Sequence, residues 1–461
     1  MKLNSILLLQ PRHEKAGQSS RSSFSFPWGI GTLAALFKEN GVKVQVIDGQ
    51  ALQLTKEELA AEVDKYDFDC LGISAFSTQF PAVKQLASHV KRQRDLPIIV
   101  GGPLATYQPE LTLKSCDVDV CVIGPGEISG LEVLKYWGEL HNVRGIAYKK
   151  NGEIIRTEAQ RVFFNLDDTP MPDFSLFQMG KYLNQDNAFA RKSNDGSYRS
   201  ISFVTTRGCP YECNFCSKSS AGFSRMSPAK LGNMLGALKS EFGIEEISFG
   251  DELFLSSRKV FSEMLPVLKE LSLRWGGQAR ANLVDKEFLH MIKEGGCIGL
   301  GYGIESGSQK ILNNMNKRTT VEQNEFAISY TRSIGIPVKV QLIFGYPGED
   351  DQTVRETIEM FDRIDHPGRR FNVITPVPGS PLYEDCIRDG LIIDEESYLY
   401  DIEVSFGAPR VHVNFTPWPD DEIYPRKRDA EEMMLDNYAS KTVMRRVRRV
   451  ASKVRKRLRG R

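Results

Sequence analysis

From residue 4 to about 140, short apolar runs alternate with stretches whose apolar residues recur at helical intervals. SILLLQ, KVQVID, CLGIS, PIIVGG and VDVCVIG are near-continuous in hydrophobic character, and segments such as GTLAALFKENG and KEELAAEVDKY lie between them. Strands that are apolar on both faces belong to parallel sheets covered by helices on each side. The pattern therefore predicts a doubly wound, Rossmann-like α/β domain over residues 1–145. Ligands of such sheets bind beyond the carboxyl ends of the strands. That directs attention to Ser74, to Gly101 and Gly102 ahead of Pro103, and to Gly124, Pro125, Gly126 and Glu127. Glycines at these points serve tight strand-to-helix turns as readily as they admit a bulky ligand. In GIAYKKNGEIIR, Asn151-Gly152 stands between two strand-like runs and predicts a type I′ hairpin. Two prolines in NLDDTPMPDFSLF then break the periodicity, so residues 146–195 read as a hairpin followed by a linker packed against both neighbours.

The alternation resumes with ISFVTT, EEISFG, LRWGGQAR, CIGLGYGIE, PVKVQLIFG and FNVITP. Six β/α units over residues 196–400 suit an open, partial TIM-like barrel better than a closed eight-fold one, with its chemistry at the carboxyl ends of the strands. Residues 401–461 form a C-terminal extension ending in KTVMRRVRRVASKVRKRLRGR, where Val443, Val447, Val450, Val454 and Leu458 recur at helical spacing among basic residues. A basic amphipathic helix of this kind suits an anionic membrane surface, RNA or an acidic partner; a solvated, disordered tail fits the composition equally.

Charge sharpens this division. The 461-residue chain carries a formal net charge of +1, yet residues 441–461 hold eleven Lys/Arg and no acid, which leaves the rest with ten more acids than bases. No run approaches the ~18 apolar residues needed to cross a bilayer, and SILLLQ is too short for a signal-peptide core. Five of the eight cysteines (Cys70, Cys116, Cys121, Cys297 and Cys386) are scattered singly, unlike a secreted disulfide framework. A cytoplasmic location is expected, with peripheral membrane contact through the tail as an extension of it.

The other three cysteines lie in TTRGCPYECNFCSKSS, where Cys209, Cys213 and Cys216 form a C-x3-C-x2-C array directly after a predicted strand. Three thiolates at this spacing can wrap a soft metal centre. Structural zinc normally takes four protein ligands, and all six histidines lie far from this loop, so zinc would need a distant fourth ligand. A cubane 4Fe-4S cluster held by three cysteines instead leaves one iron open to a substrate or cofactor.

This array, with Phe215 just ahead of its last cysteine, resembles the signature of the radical S-adenosylmethionine enzymes. The resemblance implies a unique iron chelated by the amino and carboxylate groups of S-adenosylmethionine, and reductive cleavage of that cofactor to a 5′-deoxyadenosyl radical. It further implies contacts at Gly250, Asp251 and Glu252 in FGDELF, facing the methionine amine, with carboxylates in place of the usual glycine-rich turn. Gly303, Glu305 and Ser306 in GYGIESGSQKIL are implied contacts too, with Arg280 on the methionine carboxylate and Gly345 near the adenine. The order of a doubly wound domain before such a barrel resembles the cobalamin-binding subgroup across roughly residues 1–400. There the corrin lies between the domains, and the expected contacts are Ser74, Gly101, Gly102, Gly124, Gly126 and Glu127.

In methylating members cobalamin carries a methyl group to the substrate radical; relatives perform ring formation or rearrangement. The implied partners are a small-molecule or lipid substrate and an electron donor such as a flavodoxin or ferredoxin. The chain departs from the subgroup at Leu104, where a histidine is common, and at Pro125 within the glycine turn. It also lacks an Asp-x-His-x-x-Gly element, so no histidine is expected on the lower face of cobalt. RNA modification, suggested by GIESGS and the basic tail, is the competing enzymatic reading. Against it, the second cysteine triad and terminal β-domain usual in such enzymes are not visible in the sequence. An iron-sulfur sensor or zinc-held binding module is the non-enzymatic one.

Overall fold

A computed structural model describes residues 2–13, 25–161, 164–183, 198–218, 222–368, 370–404 and 410–459, with the side chains of Val404 and of residues 442–459 outside the description. The first apolar runs become β1 (Ser5–Gln10), β2 (Lys43–Asp48), β3 (Cys70–Ser74), β4 (Ile98–Gly101) and β5 (Val120–Val122). They pair in parallel in the order β2-β1-β3-β4-β5, the flavodoxin-like arrangement of a doubly wound sheet. Its two faces bury separate cores, one around Leu7, Leu71, Val83 and Val100 and the other around Leu8, Ile30, Phe37 and Val122.

The Asn151-Gly152 signal is realised as a hairpin of β6 (Ile146–Lys150) and β7 (Glu153–Arg156), with both turn residues at positive φ. It does not stand apart. β6 pairs antiparallel to β5 and extends the first sheet to seven strands.

The second half begins with β8 (Ser200–Phe203), followed by a small antiparallel ribbon of β9 (Thr206–Arg207) and β10 (Ser224–Arg225). β11 (Glu246–Phe249), β12 (Arg274–Ala279), β13 (Cys297–Glu305), β14 (Val338–Phe344) and β15 (Phe371–Val373) then join β8 in chain order, all parallel, as a curled six-stranded half-barrel. Its interior is aromatic: Phe249 stacks on Phe254 at 3.8 Å, and Trp275 crosses both while its Nε1 donates to the Gly295 carbonyl at 2.7 Å. A buried indole needs such a partner to offset its desolvation.

Segment 164–183 joins the halves. Tyr182 donates to the buried Asp48 at the end of β2 (2.7 Å), Phe174 packs on Phe26, and Trp28 meets Phe203 of β8 at 4.5 Å between rings. The chain also returns to the first domain after β15. Helices Pro381–Arg388 and Glu395–Val404 bury Tyr383, Leu399 and Ile402 in one of its cores, with Lys56–Glu403 (2.8 Å) and Lys84–Glu396 (2.5 Å) across the seam.

The last element is a helix over Asp420–Arg459. Its first half buries Ala430 and Met434, and Arg426 pairs with Asp351 of helix Asp351–Arg363 at 2.6 Å. The helical backbone expected for the basic tail is present; the faces presented by Val443 to Leu458 lie outside the described side chains. No described helix is long and apolar enough to cross a membrane.

Gly101 and Gly102 close β4 with different constraints. A Cβ at Gly102 (φ +82°) would lie 2.8 Å from the Ala75 carbonyl oxygen, whereas one at Gly101 would meet nothing within 4 Å. Gly102→Ala is expected to destabilise the protein by about 1–3 kcal/mol, read as a lower unfolding midpoint, while Gly101→Ala unfolds like the parent.

Candidate functional site

The carboxyl ends of the two sheets face one another across a cavity of about 750 Å³, within the range of small-molecule and cofactor sites. From the first sheet it is lined by Gln10 at the end of β1, His13 beyond it, Ser74, Gly102, Gly124, Pro125, Gly126 and Glu127. The second half contributes Val204, Thr206, Arg207, Met226, Gly250 and Glu252. Phe26, Trp28, Leu33 and Leu166 supply apolar wall.

A narrower extension of about 80 Å³ runs beside the sheet between Leu8, Leu33, Phe37, Gly72, Gly101 and Gly124. Gly101 and Gly124 have open space where a Cβ would project, so here the glycines make room as well as turns. Thr106 ties the two turns together, accepting from Gly124 N–H (3.0 Å) and donating to Gly102 C=O (2.9 Å). Leu104 is buried in the sheet core and does not line the cavity.

Two contacts lock this cavity to the cysteine loop. Glu127, nearly inaccessible, forms an ion pair with Arg207, two residues ahead of Cys209. Tyr107 donates from its hydroxyl to the Lys218 carbonyl just beyond Cys216.

The loop itself leaves the barrel at β8. Buried Asp251, following β11, accepts at one carboxylate oxygen from Thr205 N–H (2.7 Å), Thr206 N–H (2.5 Å) and both threonine hydroxyls (3.1 and 2.7 Å). Its other oxygen, equally buried, has no hydrogen-bond partner among the described residues. Burial pushes the carboxyl up to about 6, against the pull of those four donors. Farther along, Asn214 N–H donates to Met315 C=O (3.0 Å), Asn316 Nδ2 to Glu212 C=O (2.6 Å) and Leu382 N–H to Asn214 C=O (2.8 Å).

Cys209 and Cys213 lie close enough to oppose ionisation of the Cys216 thiol. Cys216 is pushed up to about 11, first by protein crowding its thiol, although much of the residue stays open to solvent. Cys213, Glu252 and Cys209 push the same way, and only Lys317 acts oppositely. Such a set fits an iron-sulfur cluster, whose cationic iron would hold all three as thiolates.

Behind the loop, Glu305 (φ +65°) ends β13 at a register shift and pairs with buried Lys317 at 2.7 Å, while the Lys317 ammonium lies 5.6 Å from the Phe215 ring. Strained backbone and bulges of this kind concentrate at functional sites. A Cβ at Gly303 would collide with that pair. The Ser306 hydroxyl accepts from Ser308 N–H in its own turn (3.1 Å) and meets the Thr357 hydroxyl of helix Asp351–Arg363 (3.3 Å). Gly345 donates its N–H to the buried Glu349. Arg280, expected on a carboxylate of the cofactor, contacts Cys213 and the Lys317 carbonyl.

Ser74, Gly102, Gly124, Gly126, Glu127, Gly250 and Glu252 thus share one cavity, and Gly101 lines its extension. The cysteines and Phe215 form the loop beside it, Asp251 and Arg280 bond to that loop or its lead-in, and Glu305 and Gly303 reach it only through Lys317. Ser306 and Gly345 are not brought to it by their hydrogen bonds, which run to Ser308, Thr357 and Glu349. Sequence reasoning missed Arg207, Lys317, Tyr107, Thr106 and Trp28. Only Arg207 carried a local signal, standing next but one to Cys209 in TTRGC.

Known proteins share the domains and the fold. The B12 binding domain family matches residues 19–134, and the radical SAM superfamily matches residues 203–361. An uncharacterized methyltransferase of Pyrococcus horikoshii is 31% identical over 403 residues, covering 85% of each chain. Cytidylyl-2-hydroxyethylphosphonate methyltransferase of Streptomyces wedmorensis is 26% identical over 432 residues, covering 81% of this chain and 80% of that one. Among solved structures, the radical S-adenosylmethionine methyltransferase TsrM of Kitasatospora setae, with cobalamin and a 4Fe-4S cluster bound, superposes with a TM-score of 0.64 at 18% identity. That match covers 83% of this chain and 75% of that one. The chain belongs to the radical S-adenosylmethionine superfamily, in the group that carries a B12-binding domain.

Asp251→Ala removes the acceptor for four donors, a loss of about 2–3 kcal/mol locally. Amide hydrogen exchange at Thr205 and Thr206 is expected to speed up at least tenfold. Asp251→Asn keeps an oxygen acceptor and is expected to change exchange far less.

Proposed function

We propose that this protein is a cobalamin-dependent radical S-adenosylmethionine methyltransferase acting on an unactivated carbon of a small-molecule or lipid substrate. The observation that carries the reading is the shared cavity, lined at once by strand ends of the B12-binding sheet and of the barrel that bears the cysteine loop. Cys209, Cys213 and Cys216 would hold the cluster. Phe215, Gly250, Asp251, Glu252, Arg280, Gly303, Glu305, Ser306 and Gly345 would surround S-adenosylmethionine, and Ser74, Gly101, Gly102, Gly124, Gly126 and Glu127 the corrin. When bound, the cluster and S-adenosylmethionine supply hydrogen abstraction from carbon, and cobalamin supplies a transferable methyl group.

The chain's own part is to position and to shield. Phe26, Trp28, Leu33 and Met226 present apolar surface that excludes water from the space between the cofactors. The Glu127–Arg207 pair holds the glycine turn against the strand that leads into Cys209. The methyltransferases of Pyrococcus horikoshii and Streptomyces wedmorensis and the TsrM structure support methyl transfer; anaerobic magnesium-protoporphyrin IX monomethyl ester cyclases, 25% identical, are relatives too and support ring formation as the second reading. The matched domains favour both over RNA modification or a zinc-held module. A low-potential donor of the flavodoxin or ferredoxin kind would supply the electron. The basic tail would give peripheral contact with anionic membranes.

Anaerobically reconstituted protein given S-adenosylmethionine and dithionite is expected to form 5′-deoxyadenosine. Cys213→Ala is expected to lose the cluster absorbance and at least a hundredfold of that product. A protein that assembles the cluster yet never cleaves S-adenosylmethionine refutes the proposal. For the corrin, Gly101→Leu projects into the space beside β4, where a Cβ meets nothing within 4 Å. It is expected to weaken hydroxocobalamin binding at least tenfold, followed by the corrin absorbance that co-elutes with the protein.

A further inference from the structure

Arg280 is a buried cation, 7% exposed, that forms no ion pair with a carboxylate among the described residues. Its place at the end of β12 is held on every side. The guanidinium lies 3.6 Å from the Tyr211 ring centre, Nη2 donates to the Lys317 carbonyl, and Nε donates to Asn282 Oδ1 at 3.3 Å. Nη1 donates to the Cys213 sulfur at 3.4 Å. A buried charge left without a counter-charge is strongly unfavourable. The Cys213 sulfur, which would be anionic as a cluster ligand, lies within hydrogen-bond reach.

We propose that Arg280 is a positioning residue for the cluster, its guanidinium donating to the Cys213 sulfur and making the cluster easier to reduce. The inference rests on the cluster assignment above. Each thiolate adds negative charge to the centre, and one electron taken from an external low-potential reductant adds another. A fixed cation hydrogen-bonded to a ligand sulfur therefore stabilises the reduced form more than the oxidised one. The fork is aimed by Tyr211 and the Lys317 carbonyl, so a lysine would keep charge but lose direction.

The test is an EPR-monitored redox titration of the reconstituted cluster without S-adenosylmethionine, for wild type, Arg280→Gln and Arg280→Lys, each at matched iron and sulfide content. Arg280→Gln is expected to make the cluster at least tenfold harder to reduce, a shift of about 59 mV to more negative potential for one electron. Arg280→Lys is expected to fall between. Unchanged potentials in both, with S-adenosylmethionine affinity alone reduced, would assign Arg280 to the cofactor carboxylate and overturn the proposal.

Wild-type protein labelled with guanidino-15N arginine provides a measurement that needs no variant. A weak 15N coupling to the reduced cluster is expected in pulsed EPR, and its absence overturns the proposal even if both variants fail to assemble. Iron, sulfide and 5′-deoxyadenosine formation in the wild type report separately on the cluster assignment itself.

Discussion

Two parallel sheets that turn their carboxyl ends toward one another create a shared site only while the angle between them is held. In this protein that constraint is met mainly by burial. Trp28 from the first domain packs on Phe203 of the first barrel strand, Tyr182 of the connecting segment reaches Asp48, and the helices after β15 return to bury Tyr383 and Leu399 in the first domain's core. The apolar contacts among these are non-directional but additive, and the Tyr182–Asp48 hydrogen bond adds direction to the seam. Everything placed at the cavity inherits its geometry from that seam.

On this frame the polar contacts act locally and with direction. Asp251 gathers four donors from Thr205 and Thr206 and so determines where the chain leaves the barrel toward the cysteines. Glu127 and Arg207 tie the glycine turn of one domain to the loop of the other. Lys317 pairs with Glu305 while its carbonyl accepts from Arg280, linking the end of β13 to the same loop. Glu127–Arg207 and Glu305–Lys317 offset the cost of burial as ion pairs, while Asp251 is met by neutral donors at one oxygen and Arg280 by a carbonyl and a sulfur. Their return is precision at the loop, since removing one member leaves another unsatisfied.

Much of the architecture was legible along the chain. Near-continuous apolar runs at strand length, separated by amphipathic segments, specify parallel sheets because each strand must be buried on both faces. The runs from SILLLQ to FNVITP all became strands of the two sheets. The hairpin at Asn151-Gly152 was equally legible, since few dipeptides accept positive φ at both positions. The cysteine triad was readable because its ligands lie within eight residues of one another. Gly102, by contrast, looked like any turn glycine until the fold brought Ala75 against it.

What the sequence alone determined, then, were features whose partners are near in the chain: strand and helix periods, turn chemistry, and the spacing of three thiols. What only the tertiary structure decided were pairings between residues far apart: Arg280 with Cys213, Glu127 with Arg207, Tyr107 with Lys218, and the return of residues 381–404 to the first domain. The reason is physical. Local features follow from the conformational limits of a short backbone segment. Which distant charge meets which sulfur depends instead on how two packed cores settle against each other, and no single segment encodes that.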